Sequence, residues 1–332
     1  MLRYIIRRLL WTVALLVIVS AVVFTLFNVF PTADAATLRA GRSASPEQID
    51  IIRESLGLDD PKLTQFAHYM QGVFTPFEVH DPEVSGPLDL GESIFQNNEE
   101  VKDIILDRLP ATFMLVVGSV IIWLAVAIPI GVISAVRQKS VLDRTSMVTT
   151  LAFISAPVFW LGLVALYLFA SDVGVVHIFP GIGSYNDAET FTGKIGTMIL
   201  PWLVLSSATA AIYARYVRAQ MIDVMTEDYI RTARAKGLSE RRIVLKHGLR
   251  SALTPIVTLL GLDMGVLIAG NAILTETVFN IPGVGREVSN AIGESDLPLI
   301  QGIVLFGAFF IIIFNLIVDI LYAYLDPRVR YE

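Results

Sequence analysis

Few side chains in this sequence are spaced for chemistry. His68, His80, His177 and His247 are scattered, and no His-Glu-x-x-His run sets two zinc ligands on one helix face. The chain has no cysteine, which removes thiolate metal sites, disulfides and cysteine nucleophiles and leaves the redox compartment open. No Gly-x-x-x-x-Gly-Lys-Ser/Thr run is present to cradle nucleotide phosphates, so any ATP that drives this chain must bind another one. Ile281-Pro282-Gly283-Val284-Gly285 contains a Gly-x-Gly, but outside a strand–turn–helix context it reads as a turn. No catalytic constellation emerges.

Two other groups stand out. Asp263 is the lone charge in the otherwise apolar stretch 251–275, and an acid at a helix centre costs roughly 2.5 to 3.5 kcal/mol in a bilayer. Asp263, Asn271 and Glu276 are therefore candidates for a translocation path. The two carboxylates fit either coupling-ion sites or positions solvated by water in a pore. The second group is the basic segment 215–250. Glu227 and Asp228 suit the positive end of a helix dipole, and Arg234 and Lys236 its negative end. Gly237 can close that helix in the left-handed conformation, and Ser239 can cap a second helix running through Lys246. The expected shape is helix, glycine elbow, helix. Ala233 and Ala235 beside the elbow leave room for another backbone, so an ordinary basic loop and a protein-docking element both remain open.

The elements that must carry these residues are long and apolar. Of 332 residues, 54% are hydrophobic and 17% charged, and mean hydropathy is +0.65, which places the chain in a bilayer. Stretches 9–30, 109–136, 145–171, 195–214 and 297–318 lack Asp, Glu, Lys and Arg, and 251–275 carries only Asp263. Each can cross about 30 Å of hydrocarbon as a helix, and all are too long for barrel strands of about ten residues. The fold class expected is an all-α membrane protein with six transmembrane helices. Net charge alternates between them: +3 before the first, −9 over 31–109, +2 over 137–144, −2 over 172–194, +5 over 215–250 and −3 over 276–296. Positive segments stay inside, which puts both termini in the cytoplasm. A basic start followed by Ala33-Asp34-Ala35 also fits a cleaved leader. The first uncharged run, however, has 22 residues and exceeds the usual signal core of about 7 to 15, so a retained helix is expected.

In the external segment, Ser45-Pro46-Glu47-Gln48 has the form of a capping box, with Ile49, Ile52 and Leu56 on one face and Gly57 as the stop. Val101, Ile104, Ile105 and Leu109 form a stripe running into Pro110, expected as a surface helix leading into the second span. Thr75 to Gly91 reads as loop. The segment serves either as a solvated cap or as a docking surface.

Glu227-Asp228-Tyr229-Ile230-Arg231-Thr232-Ala233-Arg234-Ala235-Lys236-Gly237-Leu238 resembles the cytoplasmic loop motif of binding-protein-dependent ABC importer permeases, in its peptide-branch form. Further matches are Arg108-Leu109-Pro110-Ala111-Thr112, Pro157-Val158-Phe159-Trp160, Glu276-Thr277-Val278-Phe279 with Pro282-Gly283-Val284-Gly285, and Leu325-Asp326-Pro327-Arg328. Together they are similar to the first, B-type permease subunit of dipeptide and oligopeptide importers. Pro31-Thr32-Ala33-Asp34 departs from the Pro-Gly-Asp-Pro-like turn of relatives, and the stretch 75–90 looks longer than theirs.

The resemblance implies a type I ABC importer permease fold in a bacterial or archaeal cytoplasmic membrane. It divides the chain into 1–30, with the first helix, an extracytoplasmic insertion 31–108, and a five-helix core 109–332 containing the coupling segment 219–250. It implies a pore-forming subunit rather than an enzyme, without a cofactor of its own and without nucleic acid. Its partners are a second homologous permease, two cytoplasmic ATPases that bind ATP and Mg, an external solute-binding protein delivering peptide, and membrane lipid. Transmission of ATPase motion then falls on Glu227, Asp228, Tyr229, Arg231, Thr232, Ala233, Arg234, Ala235, Lys236, Gly237 and Leu238. Related branches carry nickel, glutathione or sugars, and an ion-gradient transporter is the remaining alternative.

Overall fold

A computed structural model describes residues 2–29, 34–40, 44–55, 57–74, 89–96 and 99–325. Leu56, His80, residues 31–33 of the variant turn, residues 75–88 of the expected loop and the Asp326-Pro327-Arg328 end lie outside the described residues. The described residues are nearly all helical, with two isolated β-bridges.

The first helix, α1 (Leu2–Phe24), continues into one π turn, Thr25–Val29. It packs along the last helix, and Arg8 pairs with Asp319 there at 2.9 Å. Among the described residues of the segment that follows, three short helices form: α2 (Ala35–Ala40), α3 (Pro46–Ser55) and α4 (Lys62–Phe74). The capping box at α3 closes as expected. The Gln48 amide donates to Ser45 Oγ at 3.3 Å, and the Ser45 amide to Gln48 Oε1 at 2.9 Å.

The stripe around Val101 is the start of α5 (Val101–Val136), one uninterrupted helix of 36 residues. At 1.5 Å per residue it is about 54 Å long, so it outruns the hydrocarbon and carries its first turns beyond it. Those turns are not on the surface. Val101, Ile104 and Ile105 are buried against Val284, Ala291, Leu299 and Ile303. The central partner of α5 is α8 (Phe191–Met225). Between them lies the largest core cluster, with Trp123 and Tyr213 rings 5.7 Å apart.

The third apolar run departs from expectation. It is not one straight span but two helices, α6 (Val141–Ser155) and α7 (Val158–Phe169), bent by 100°. Pro157 is the cause. Its ring disfavours helical geometry at the preceding residue, and Ala156 accordingly sits extended at φ −87°, ψ 126°. Among the described residues, five helices are long and apolar enough to cross a membrane, and the bent pair makes up to six.

After α8 come α9 (Asp228–Ala235) and the long α10 (Glu240–Gly270), which includes π turns at Ile243–Gly248 and Leu267–Asn271. At Gly270, φ is +108°, and the chain turns there into a hairpin of α11 (Ile273–Phe279) and α12 (Val284–Glu294). The final helix, α13 (Leu297–Leu325), packs on α10 and α1. Asp296 anchors its start. Its Oδ2 accepts from the Ser93 hydroxyl and from the amides of Ile94 at 3.1 Å and Phe95 at 3.3 Å, which ties the segment before α5 to the core.

Candidate functional site

The segment 227–238 folds as its local signals require. Glu227 precedes α9 in extended geometry and its carbonyl accepts the Ile230 amide at 3.1 Å, although its side chain makes no capping bond. Asp228 instead pairs with Arg231 one turn on, at 3.2 Å. At the other end the Leu238 amide donates to Ala233 O at 3.3 Å and the Gly237 amide to Arg234 O at 2.9 Å, the pair of bonds that closes a helix through a left-handed residue. Gly237 is that residue, with φ +74°. Ser239 starts α10 in extended geometry, but its hydroxyl makes no cap bond.

Two contacts fix the angle between α9 and α10. Arg234 reaches across the elbow to Glu240 at 2.8 Å. Beneath it, Ile230, Ala233 and Ile243 form a small buried cluster with Met225 and Leu238 against it. The two alanines thus differ. Ala233 packs against its own chain, so the room expected beside the elbow for another backbone is left by Ala235, which is open. With it, Glu227, Asp228, Tyr229, Arg231, Thr232, Arg234 and Lys236 form an exposed surface on a rigid support. Sequence reasoning missed that support. Ile230 and Ile243 lie 13 positions apart on different helices, so no local period links them.

A second missed contact steadies the same end of the molecule. Arg218 of α8 grips Asp143 of α6 through two bonds of 2.7 and 2.9 Å, and the Lys139 amide adds a third at 2.9 Å. In the sequence these charges only counted toward net charge.

The translocation-path candidates fall in different settings. Asp263 is half-buried and accepts from the Tyr213 hydroxyl of α8 at 2.6 Å. Asn271 ends the π turn beside the Gly270 kink. Glu276 is wholly buried in α11. Its carboxylate accepts from the Thr112 hydroxyl of α5 at 2.7 Å and from the Arg286 amide at 2.8 Å, while Thr112 Oγ1 accepts the Val284 amide at 2.9 Å. The first amides of α12, left unpaired by the helix itself, are thus met by a buried anion and a hydroxyl, which is also where the helix dipole favours negative charge. Gly283 makes the approach possible, because an added Cβ would lie 2.2 Å from Glu276 Cδ.

Elsewhere a groove of about 510 Å³ opens among α5, α6 and α8. Its walls are mostly apolar, with no charged side chain, and carry Thr149 and, around it, Ser134, Thr145, Ser146, Thr150, Ser206 and Ser207. These hydroxyls spend their protons at home: Thr145 donates to Val141 O, Ser146 to Asp143 O, Thr150 to Met147 O, Ser206 to Leu203 O and Ser207 to Val204 O, all at 2.7–3.1 Å. Ser134 and Ser146 bond to each other at 2.7 Å. Apart from Thr149, what the hydroxyls offer the groove is lone pairs.

Comparison with known proteins agrees with this architecture. Residues 1–116 match the family described as binding-protein-dependent transport system membrane component, N-terminal, and residues 127–331 match the binding-protein-dependent transport system inner membrane component. Over all 332 residues, covering the whole of both chains, the protein is 39% identical to the glutathione transport system permease protein GsiC of Escherichia coli strain K12. The same figures hold for the proteins of that name from Pectobacterium atrosepticum and Shigella dysenteriae serotype 1. An all-helical multi-pass chain matched along its full length in this way belongs to the family of inner membrane components of binding-protein-dependent transport systems, and is a permease subunit of an ABC importer.

Proposed function

We propose that this subunit imports glutathione or peptides of similar size, received from an extracytoplasmic solute-binding protein, as one of two homologous permeases above two ATPases that bind ATP and Mg. The observation carrying the substrate class is the full-length identity to permeases named for glutathione. The groove supports it: apolar walls that present acceptors without charge suit peptide N–H groups and tolerate varied side chains. The exposed surface of 227–238 is the contact for an ATPase, and both termini lie on that side of the membrane. Differential contacts at the elbow bias the inward- and outward-facing states. Asp263 and Glu276 already hold their own donors, Tyr213 and Thr112, which favours structural duties for both over ion coupling.

Uptake by the assembled complex with its binding protein in vesicles tests the substrate. Labelled glutathione should accumulate in an ATP-dependent way and be displaced by small peptides. Displacement by nickel or sugars instead would overturn the assignment.

Asp263→Asn keeps an acceptor for Tyr213 and removes only charge, so uptake should stay near the parental rate. Asp263→Ala leaves the Tyr213 hydroxyl buried and unpaired, which costs about 1 to 3 kcal/mol and should lower the temperature at which the subunit unfolds. Loss of uptake in a well-assembled Asp263→Asn complex would give this carboxylate a direct transport role.

A further inference from the structure

The N-terminal end of α1 holds a recess of about 330 Å³ lined by Arg7, Arg8, Trp11 and Leu15. Arg7, Trp11 and Leu15 are spaced i, i+4, i+8, so they stack on one face over about 12 Å of helix axis. Trp11 is 60% exposed and Leu15 46%, and the residues lining the recess all belong to α1. The two arginines differ. Arg8 is paired with Asp319, while Arg7 has no ion pair or hydrogen bond among the described residues, so the recess carries one uncompensated guanidinium.

We infer that this recess binds one anionic phospholipid, and it does so independently of which solute the permease carries. The order of groups along α1 matches the order of groups in such a lipid. A guanidinium at the water side takes the phosphodiester through two parallel N–H bonds, an indole one turn deeper sits at the level of the glycerol and ester groups, and a leucine two turns deeper meets the acyl chain. A single unneutralised positive charge selects a lipid of net charge −1 over a zwitterionic one, whose own ammonium already answers its phosphate. A soluble phosphate would satisfy Arg7 alone and leave Trp11 and Leu15 without a partner.

Quenching of Trp11 by lipids brominated on the upper acyl chain tests this. The full-length chain is assembled with its partners in phosphatidylcholine vesicles containing a fixed minority of brominated phosphatidylglycerol or brominated phosphatidylcholine. The Trp11 signal is the difference between the parent and a Trp11→Phe complex. Phosphatidylglycerol should quench it with about fivefold higher apparent affinity. Arg7→Gln should abolish that preference and Arg7→Lys, which keeps the charge but not the two parallel bonds, should weaken it, with Arg8 and its ion pair intact in both. Millimolar inorganic phosphate should leave the quenching unchanged. Equal quenching by the two lipids, a preference that survives Arg7→Gln, or displacement by phosphate would each overturn the assignment.

Discussion

Gly283→Ala is expected to strip the folded subunit from the membrane, although the backbone there, at φ −103°, accepts any residue. The obstacle is contact. The new methyl would lie 2.2 Å from Glu276 Cδ and within 2.4 Å of both carboxylate oxygens. Glu276 has no room to yield, since it is fully buried and bonded to Thr112 and the Arg286 amide. Overpacking of this kind costs about 1 to 3 kcal/mol, and each hydrogen bond to a charged group lost in the adjustment adds about 1.5 to 3 kcal/mol. The folded-to-unfolded ratio should therefore fall by about two orders of magnitude or more, read as loss of monodisperse protein after heating and as degradation in cells. A double variant separates this cause from others. Glu276→Ala is itself destabilising because it uncaps α12, but in that background Gly283→Ala should cost little, since its antagonist is gone. Equal cost in both backgrounds would show that the Glu276 contact is not the reason.

The second large effect is on assembly rather than folding. Ala235→Asp should reduce copurification with the ATPase by at least tenfold while membrane levels of the subunit stay parental. Ala235 is open on this chain, so the carboxylate is harmless until a partner covers it, and then an unpaired buried charge costs several kcal/mol. Of the neighbouring cations, Arg234 is already committed to Glu240 and Arg231 to Asp228. Gly237→Val should uncouple through geometry. Nothing lies within 4 Å of its added Cβ, so the whole cost is the left-handed backbone, about 1 to 2 kcal/mol and more for a β-branched side chain. Asn at the same position tolerates that backbone and should retain transport. Wild-type uptake and ATPase retention in both Ala235→Asp and Gly237→Val would remove the coupling role from 227–238.

Local features were legible in the sequence and distant ones were not. The capping box at Ser45, the α9 helix and the left-handed Gly237 depend on residues within a few positions of one another, and each was readable. Counting uncharged residues found the apolar runs but is blind to proline, so the 100° break at Pro157 passed as one straight span. The acids were seen and their partners were not. Thr112 lies 164 positions from Glu276, and Tyr213 lies 50 from Asp263. Nothing in periodicity or composition pairs residues at such separations. The same holds for Ala233, whose inward orientation depends on Ile243 arriving from the next helix.

The ion pair between Arg8 and Asp319 sets an order on biogenesis. Its halves sit about 300 residues apart, and synthesis at about 5 to 20 residues per second separates their appearance by about 15 to 60 s. For that interval the first helix stands in the bilayer without the neighbour it packs along, held by lipid contacts on nearly every side. A chain that stops short of residue 319 leaves Arg8 without this ion pair and α1 without the helix it packs along. The contact between the first and last helices can therefore form only once synthesis has passed residue 319.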